Sequence, residues 1–280
     1  MYKKISLTLL PIIATAWPAH AKQHCNADDD CILMNQWQIA LAAGWGQRQN
    51  PVAAYDDMDL YLIPNIAYYA ESWFFDNGNW GYTLTDQTHY SANLTTLYTA
   101  DRSWFERWDP VNIFIHLGQP LTISDPDELQ LVKQRQNRDF TYLGGIDNYF
   151  YTDFGQIKAS FHHDLFNVHN GSQAELKWRQ HWQLNNIVID LALASTWKSK
   201  RLINYYYGFR ADENLNIHQT YQQKSGFNRW IELTTRYRFD TNFDILGAVR
   251  YTKLAESIVA SPLINEEYTT TYFIGALYRF

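Results

Sequence analysis

Long runs of strict two-residue alternation set the limits on what this chain can become. Over residues 37–45, Trp37, Ile39, Leu41, Ala43 and Trp45 fall on one side of an extended chain, and Gln38, Ala40, Ala42 and Gly44 on the other. Ala174, Leu176, Trp178 and Trp182 alternate with Glu175, Lys177, Arg179 and His181. Ile187, Ile189, Leu191, Leu193 and Trp197 do the same against Asp190, Thr196 and Lys198. Ile231, Leu233, Thr235 and Tyr237 alternate with Glu232, Thr234, Arg236 and Arg238, and Ile245, Val249 and Tyr251 with Asp244, Ala248 and Arg250. Leu60, Leu62, Ile66 and Tyr68 give one more apolar face, and Tyr90, Ala92, Leu94, Thr96 and Tyr98 another. Each run is about ten residues or longer, the length a tilted strand needs to cross a bilayer and roughly twice that of an ordinary soluble strand.

The apolar faces end in Trp or Tyr, as strands anchored at two membrane interfaces do. Composition agrees. Aromatic residues are 16% of the chain, yet the mean hydropathy is only −0.41. Lipid-facing apolar residues alternating with polar lumen residues give that combination, and the expected fold is an all-β, transmembrane, antiparallel up-and-down barrel of about 12 strands, with 10 as the alternative. No apolar stretch of helical spanning length follows the N-terminus. A net charge of −6 argues against a nucleic-acid partner, which would need a basic stripe.

Residues 1–21 read as a signal peptide. Lys3 and Lys4 precede a short apolar stretch, and Ala19-His20-Ala21 has a small-x-small form, so cleavage is expected between Ala21 and Lys22. Residues 22–35 then form a periplasmic N-terminal segment and 36–280 the barrel. In an exported protein Cys25 and Cys31 read as a possible disulfide. The chain ends with Tyr272, Ile274, Ala276, Tyr278 and Phe280 on one face. Tyr278 and the final Phe280 resemble the terminal signal of outer-membrane proteins that the barrel-assembly machinery reads.

Twelve strands are expected near 36–46, 58–69, 73–84, 87–99, 140–151, 154–163, 172–184, 187–198, 202–210, 228–239, 242–254 and 267–280. Asp76-Asn77-Gly78 inside the third reads either as a hairpin turn or as a bulge. Residues 100–138 stand apart as a long insert with Pro110, Pro120 and Pro126. Four strands before it would place it at the periplasmic end.

Several local patterns have a familiar order: Trp45-Gly46-Gln47-Arg48-Gln49-Asn50-Pro51, Leu62-Ile63-Pro64-Asn65, Phe74-Phe75-Asp76-Asn77-Gly78-Asn79-Trp80-Gly81-Tyr82, Tyr142-Leu143-Gly144-Gly145, and Asp164 with His169-Asn170-Gly171. With the final Phe280 they resemble the MipA/OmpV family, the MltA-interacting proteins, across nearly the whole mature chain. The resemblance implies a non-enzymatic barrel in the outer membrane of a Gram-negative cell, with no cofactor and no catalytic residues to carry over. It also implies a scaffold role linking a lytic transglycosylase, a murein hydrolase, to a murein synthase of peptidoglycan. Outer-membrane lipid and lipopolysaccharide would surround it. The alternative is a narrow porin-like channel or small-molecule binding barrel.

That alternative draws on the residues expected to point inward: Glu175, Lys177, Arg179, Asp190, Glu232, Arg236, Arg238, Asp244 and Arg250, with Lys158 and Lys198. They read either as a charge-paired filling or as the lining of a selective pore. His89 and Ser91 share a face, as a base and a hydroxyl nucleophile must, but on the lumen side rather than the lipid side that a lipase needs. His162 and His163 are adjacent on a strand and cannot face one ion, so with Asp164 and His169 they make a poor metal site. No glycine-rich phosphate loop opens a helix.

Overall fold

A computed structural model of the chain describes residues 2–4, 31–106, 109, 111, 137–209, 213 and 224–280. The expected cleavage site at Ala21 and Lys22, and Cys25 of the possible disulfide, lie outside the described residues. Residues 2–4 run antiparallel to 31–33 as a separate two-stranded pair.

Twelve strands form one closed antiparallel barrel in which each pairs with the next in the chain and the last with the first. They are β1 (Trp37–Arg48), β2 (Met58–Tyr69), β3 (Trp73–Asp76), β4 (Asn79–Asp86), β5 (Tyr90–Leu97), β6 (Leu143–Thr152), β7 (Gly155–Asp164), β8 (Ser172–Leu184), β9 (Ile187–Lys198), β10 (Gly226–Arg238), β11 (Phe243–Lys253) and β12 (Tyr268–Arg279). The seam joins β12 to β1 from Thr271↔Arg48 to Arg279↔Ala40. Among the described residues no helix is long and apolar enough to cross a membrane.

The alternation sorts side chains as the sequence demands. Leu193, Ile231, Leu233, Ile245, Val249 and Ile274 are exposed on the outer wall. Two belts of rings border them. Trp37, Trp73, Trp182, Tyr237 and Tyr278 lie towards one end, and Trp45, Tyr61, Phe227 and Tyr251 towards the other. Phe280 is exposed beyond the last strand, and its N–H bonds the Ile39 carbonyl, 2.9 Å away.

The count of twelve is met through two departures that offset each other. The expected third strand, 73–84, is two strands, β3 and β4, joined at Asn77-Gly78. Both turn residues have positive φ, +47° and +91°, the pair of conformations a tight type I′ hairpin requires. The expected strand at 202–210 is instead a helix, α1 (Lys200–Tyr207). Ser199 caps it by accepting from the Leu202 N–H, and Leu202, Ile203, Tyr206 and Tyr207 share its buried face at helical spacing.

The extra hairpin reverses where the insert emerges. Five strands precede it, not four, so the connection 98–142 leaves at the end opposite Trp37 and Phe280. It joins the other long connections there, 49–57, 165–171, 199–225 and 254–267. The opposite end has only tight turns at 70–72, 87–89, 153–154, 185–186 and 239–242.

One face assignment also changes. The β1–β2 ladder slips between Ala43 and Gly46, where two residues of β1 oppose one of β2. The slip turns Leu60 inward, fully buried, while Leu62, Ile66 and Tyr68 stay on the outer face. Tyr98 likewise leaves the face of Tyr90 and Leu94, because the chain has passed the end of β5 and bends into the lumen.

Candidate functional site

The lumen is divided lengthwise. Along β11, β12, β1 and β2 the middle of the lumen wall is small or apolar, formed by Ala40, Ala42, Leu60, Ile63, Leu246, Ala248, Phe273 and Leu277, with the buried charges Arg48, Asp244 and Arg250 towards the strand ends. Tyr98 and Val111 of the insert pack on this arc, with Ala100, Phe140 and Tyr142 beside them. The described residues 98–106, 109 and 111 therefore enter the barrel as a plug. Burial of its rings against the arc follows the same hydrophobic logic as a soluble core.

The other arc, β6 to β11, is charged. Near the tight-turn end, Asp190 accepts from Arg179 at 2.6 Å and lies 3.1 Å from His181. Asp244 pairs with Arg236 at 3.7 Å and with Arg279. Farther along, Arg250 lies 3.1 Å from Glu232, Lys158 pairs with Asp147 at 3.2 Å, and Thr196 donates to Glu175 at 3.0 Å. Trp230 carries the Arg250 guanidinium 3.8 Å from its ring centre and the Lys177 ammonium 5.4 Å from it. Arg238 lies opposite Asp244 in the ladder, half-buried at the strand end. Lys177, Arg179, Asp190, Glu232, Arg236, Asp244 and Arg250 are buried, Glu175 and Arg238 half-buried, and most of the buried charges touch an opposite one. Burial makes such pairing obligatory, since a lone charge in this setting would cost several kcal/mol, on the order of 3–5.

The plug is tied to this charged arc at the loop end. Lys198 and Tyr207 both donate to Asp101. Burial alone would raise the Asp101 carboxyl. The Lys198 charge and these hydrogen bonds overcome that and hold it below the usual value. Arg48, fully buried, donates to Ser103 at 3.0 Å and stacks on Trp104 with its Cζ 3.5 Å from the ring centre. The Tyr98 and Tyr142 hydroxyls donate to the Asn77 and Gly78 carbonyls, pinning the plug to the hairpin. Above this, α1 packs with Phe105, Leu254, Ile258 and Leu263 as a small apolar roof.

Between plug and charged arc a cavity of about 180 Å³ remains. Arg48, Asp101, Trp104, Lys158, Lys198, Trp230 and Arg250 are among its walls. Nothing in the alternation points to it. Tyr98, Phe140 and Tyr142 were the available signal, aromatic residues in and beside a proline-bearing insert that needed a surface to bury against.

The remaining candidates separate. His89 is exposed in a turn, while Ser91 is fully buried with its hydroxyl 3.3 Å from that of Tyr151. His162 faces the lumen, 2.8 Å from the Thr95 hydroxyl, and His163 faces outward, 2.8 Å from that of Ser172. Asp164 organises the loop after β7 by accepting from the His169 and Asn170 N–H groups. Among the described residues no group of three or more His, Cys, Asp or Glu is placed to hold a metal ion.

Comparison with known proteins gives these features a family. The chain is 22% identical over 244 residues to the MltA-interacting protein of Escherichia coli (strain K12), covering 87% of this chain and 90% of that one. It is 23% identical to the putative outer membrane protein YiaT of the same strain, covering 87% and 91%, and 23% identical to outer membrane protein OmpV of Vibrio cholerae, covering 82% and 85%. Among solved structures it has a distant likeness, TM-score 0.38 and 8% identity, to a Pseudomonas aeruginosa FadL homologue, covering 86% of this chain and 88% of that one. The sequence model of the family described as MltA-interacting protein MipA matches residues 39–280, the whole barrel but for the first two residues of β1, and the chain belongs to that family of outer-membrane barrels.

Proposed function

We propose that this protein is a non-enzymatic scaffold of the outer membrane that ties a murein hydrolase of the lytic-transglycosylase kind to a murein synthase. The observation that carries the reading is the filled lumen. Paired charges occupy one arc and the plug covers the other, which leaves the two ends of the barrel as working surfaces. The name of the Escherichia coli relative supports a partner of this class. In outer-membrane barrels the tight turns face the periplasm and the long connections face outside. That orientation puts the turn end, with exposed Phe154 and Phe239, and the start of β1 on the side where peptidoglycan enzymes work. The plug-bearing insert then emerges outside.

The test is a photo-reactive residue at Phe154, with a second at Lys224 on the opposite end, cross-linked in intact envelopes. A murein hydrolase or synthase recovered from Phe154 and not from Lys224 is the expected result. Recovery of neither enzyme from Phe154 overturns the scaffold at this end.

A second reading, a barrel that binds a small molecule, has the cavity in its favour. Its mixture of guanidinium, ammonium, carboxylate and indole groups suits a small zwitterion. Thermal-shift screening of amino acids and amino sugars against the purified barrel would test it, and no shift with any of them would remove it.

A further inference from the structure

The loop-end rim over β10 and β11 carries cations on the membrane-facing side of the wall. Arg229 points outward on β10, exposed, between Phe227 and Ile231 on the same face. Its direct cross-strand neighbour on β11 is Lys253. Like charges placed opposite one another on adjacent strands repel and destabilise the pair. Lys253 has a carboxylate, Glu267, 3.0 Å away, and its ammonium lies 5.4 Å from the Tyr268 ring. Arg229 and Lys224 have no ion pair among the described residues.

These side chains, with Glu256 and Ser257, line a groove of about 530 Å³. Three cations meet there against Glu256 on the lining and Glu267 on Lys253. Directly beneath, Phe227, Ile231, Val249 and Tyr251 are exposed on the lipid-facing wall. A solvated snorkelling pair would explain one cation at this height. It does not explain two placed side by side across the ladder, with a third at the same groove. A ligand that brings anionic oxygens to the groove and hydrocarbon to the wall below it satisfies both halves of the surface.

We infer that this rim binds a phosphorylated glycolipid of the outer leaflet, of the lipid A kind. Its phosphates bridge Arg229, Lys253 and Lys224, and its acyl chains lie along Phe227, Ile231 and Tyr251. Among the described residues, Arg229 and Lys224 are the two cations of the groove left without a carboxylate, and a phosphate for each favours this ligand over a phospholipid with a single one. The inference rests on the orientation proposed above, with the long connections outside.

The experiment uses the full mature chain, folded in detergent, and measures retention of bisphosphorylated lipid A by native mass spectrometry. Monophosphorylated lipid A and phosphatidylglycerol serve as competitors. The wild-type chain should hold bisphosphorylated lipid A, and the monophosphorylated form should bind more weakly. The double variant Lys224→Gln/Arg229→Gln should lose about tenfold in affinity, as expected when two charge-assisted contacts are removed at a wet surface. Its fold is checked separately by heat-modifiable mobility on a gel. Unchanged binding in the folded double variant overturns the inference. So does equal competition by phosphatidylglycerol, which would mark a general anionic-lipid interface. Orientation is read independently, from impermeant maleimide on Lys224→Cys in intact cells. Labelling without lipid selectivity overturns the lipid site alone, and labelling only after permeabilisation overturns the orientation with it.

Discussion

The Lys198 ammonium of the wall sits 2.6 and 2.7 Å from the two carboxylate oxygens of Asp101 on the plug, joining residues 97 apart in sequence. The Tyr207 hydroxyl adds a third short bond to the same carboxylate, at 2.6 Å. Asp101→Asn leaves a buried ammonium without its counter-charge, and the expected loss is about 3–5 kcal/mol. Urea unfolding followed by tryptophan fluorescence measures it. A loss below about 1 kcal/mol, the range of a surface pair, would mean the plug is held by its other contacts.

Part of the pH dependence should trace to His169. Burial lowers its pKa below the usual 6.5, against the opposing pull of Asp164. A lowered value means that the neutral ring belongs to the folded state. Its contribution is complete above 6.5 and is lost as the pH falls through the lowered folded value. Asp101, also lowered, keeps its contribution until the pH falls below the usual carboxylate value of 3.8. Stability should therefore decline in two separate steps on acidification. His169→Asn, which can still accept the Gly171 N–H bond that Nδ1 now accepts at 2.8 Å, should shrink the first step and spare the second. Equilibrium unfolding at a series of pH values decides it. A first step of unchanged size in His169→Asn assigns it elsewhere.

Adjacent positions on β9 should fail for opposite reasons. Leu191 faces lipid near mid-strand, and Leu191→Arg should cost about 2–4 kcal/mol. From the sequence alone, Asp190→Asn on the lumen side would be expected to be mild. The structure reverses that, because Asp190 holds Arg179 and His181 together, and the loss should be of similar size or larger. Adding Arg179→Gln to Asp190→Asn should recover part of that loss and none of the Leu191→Arg loss. Double-mutant unfolding measurements separate the two.

Gly78→Ala should destabilise the β3–β4 hairpin. The residue sits at φ +91°, and an added Cβ would approach the Tyr98 ring to 3.0 Å. A non-glycine residue in the left-handed region costs roughly 1–2 kcal/mol, before the contact with the plug is counted. Thermal unfolding should show the drop, and an unchanged midpoint would show that the plug can shift to make room.

The wall could be read from the sequence because membrane and lumen impose opposite demands on neighbouring residues. Positions such as Ile231 and Glu232, or Ile245 and Asp244, therefore declare their sides. The interior charges followed from the same alternation. The elements that were misread lie where this pressure stops. Asn204-Tyr205-Tyr206-Tyr207 has the aromatic density of a strand, and only the Ser199 cap and the spacing of Leu202, Ile203, Tyr206 and Tyr207 mark it as a helix. Asn77-Gly78 gave a hairpin signal inside a run that also suited one long strand, and that one choice moved the insert to the other end. The apolar arc was hidden because Ala40, Ala42 and Ala248 carry no polar label to mark them as interior.

That arc straddles the seam. Ala40 and Ala42 lie on β1, Phe273 and Leu277 on β12, and Gly44 and Gly275 oppose each other where the two edges meet. The surface that receives Tyr98 and Val111 is whole only after the first and last strands have joined. The plug lies midway along the chain, between the two edges that have to meet around it. Filling and sealing are then one assembly event, with the plug acting as a mandrel on which the cylinder shuts. A chain lacking 98–111 should accumulate as an open sheet, exposed to protease, instead of as an empty pore.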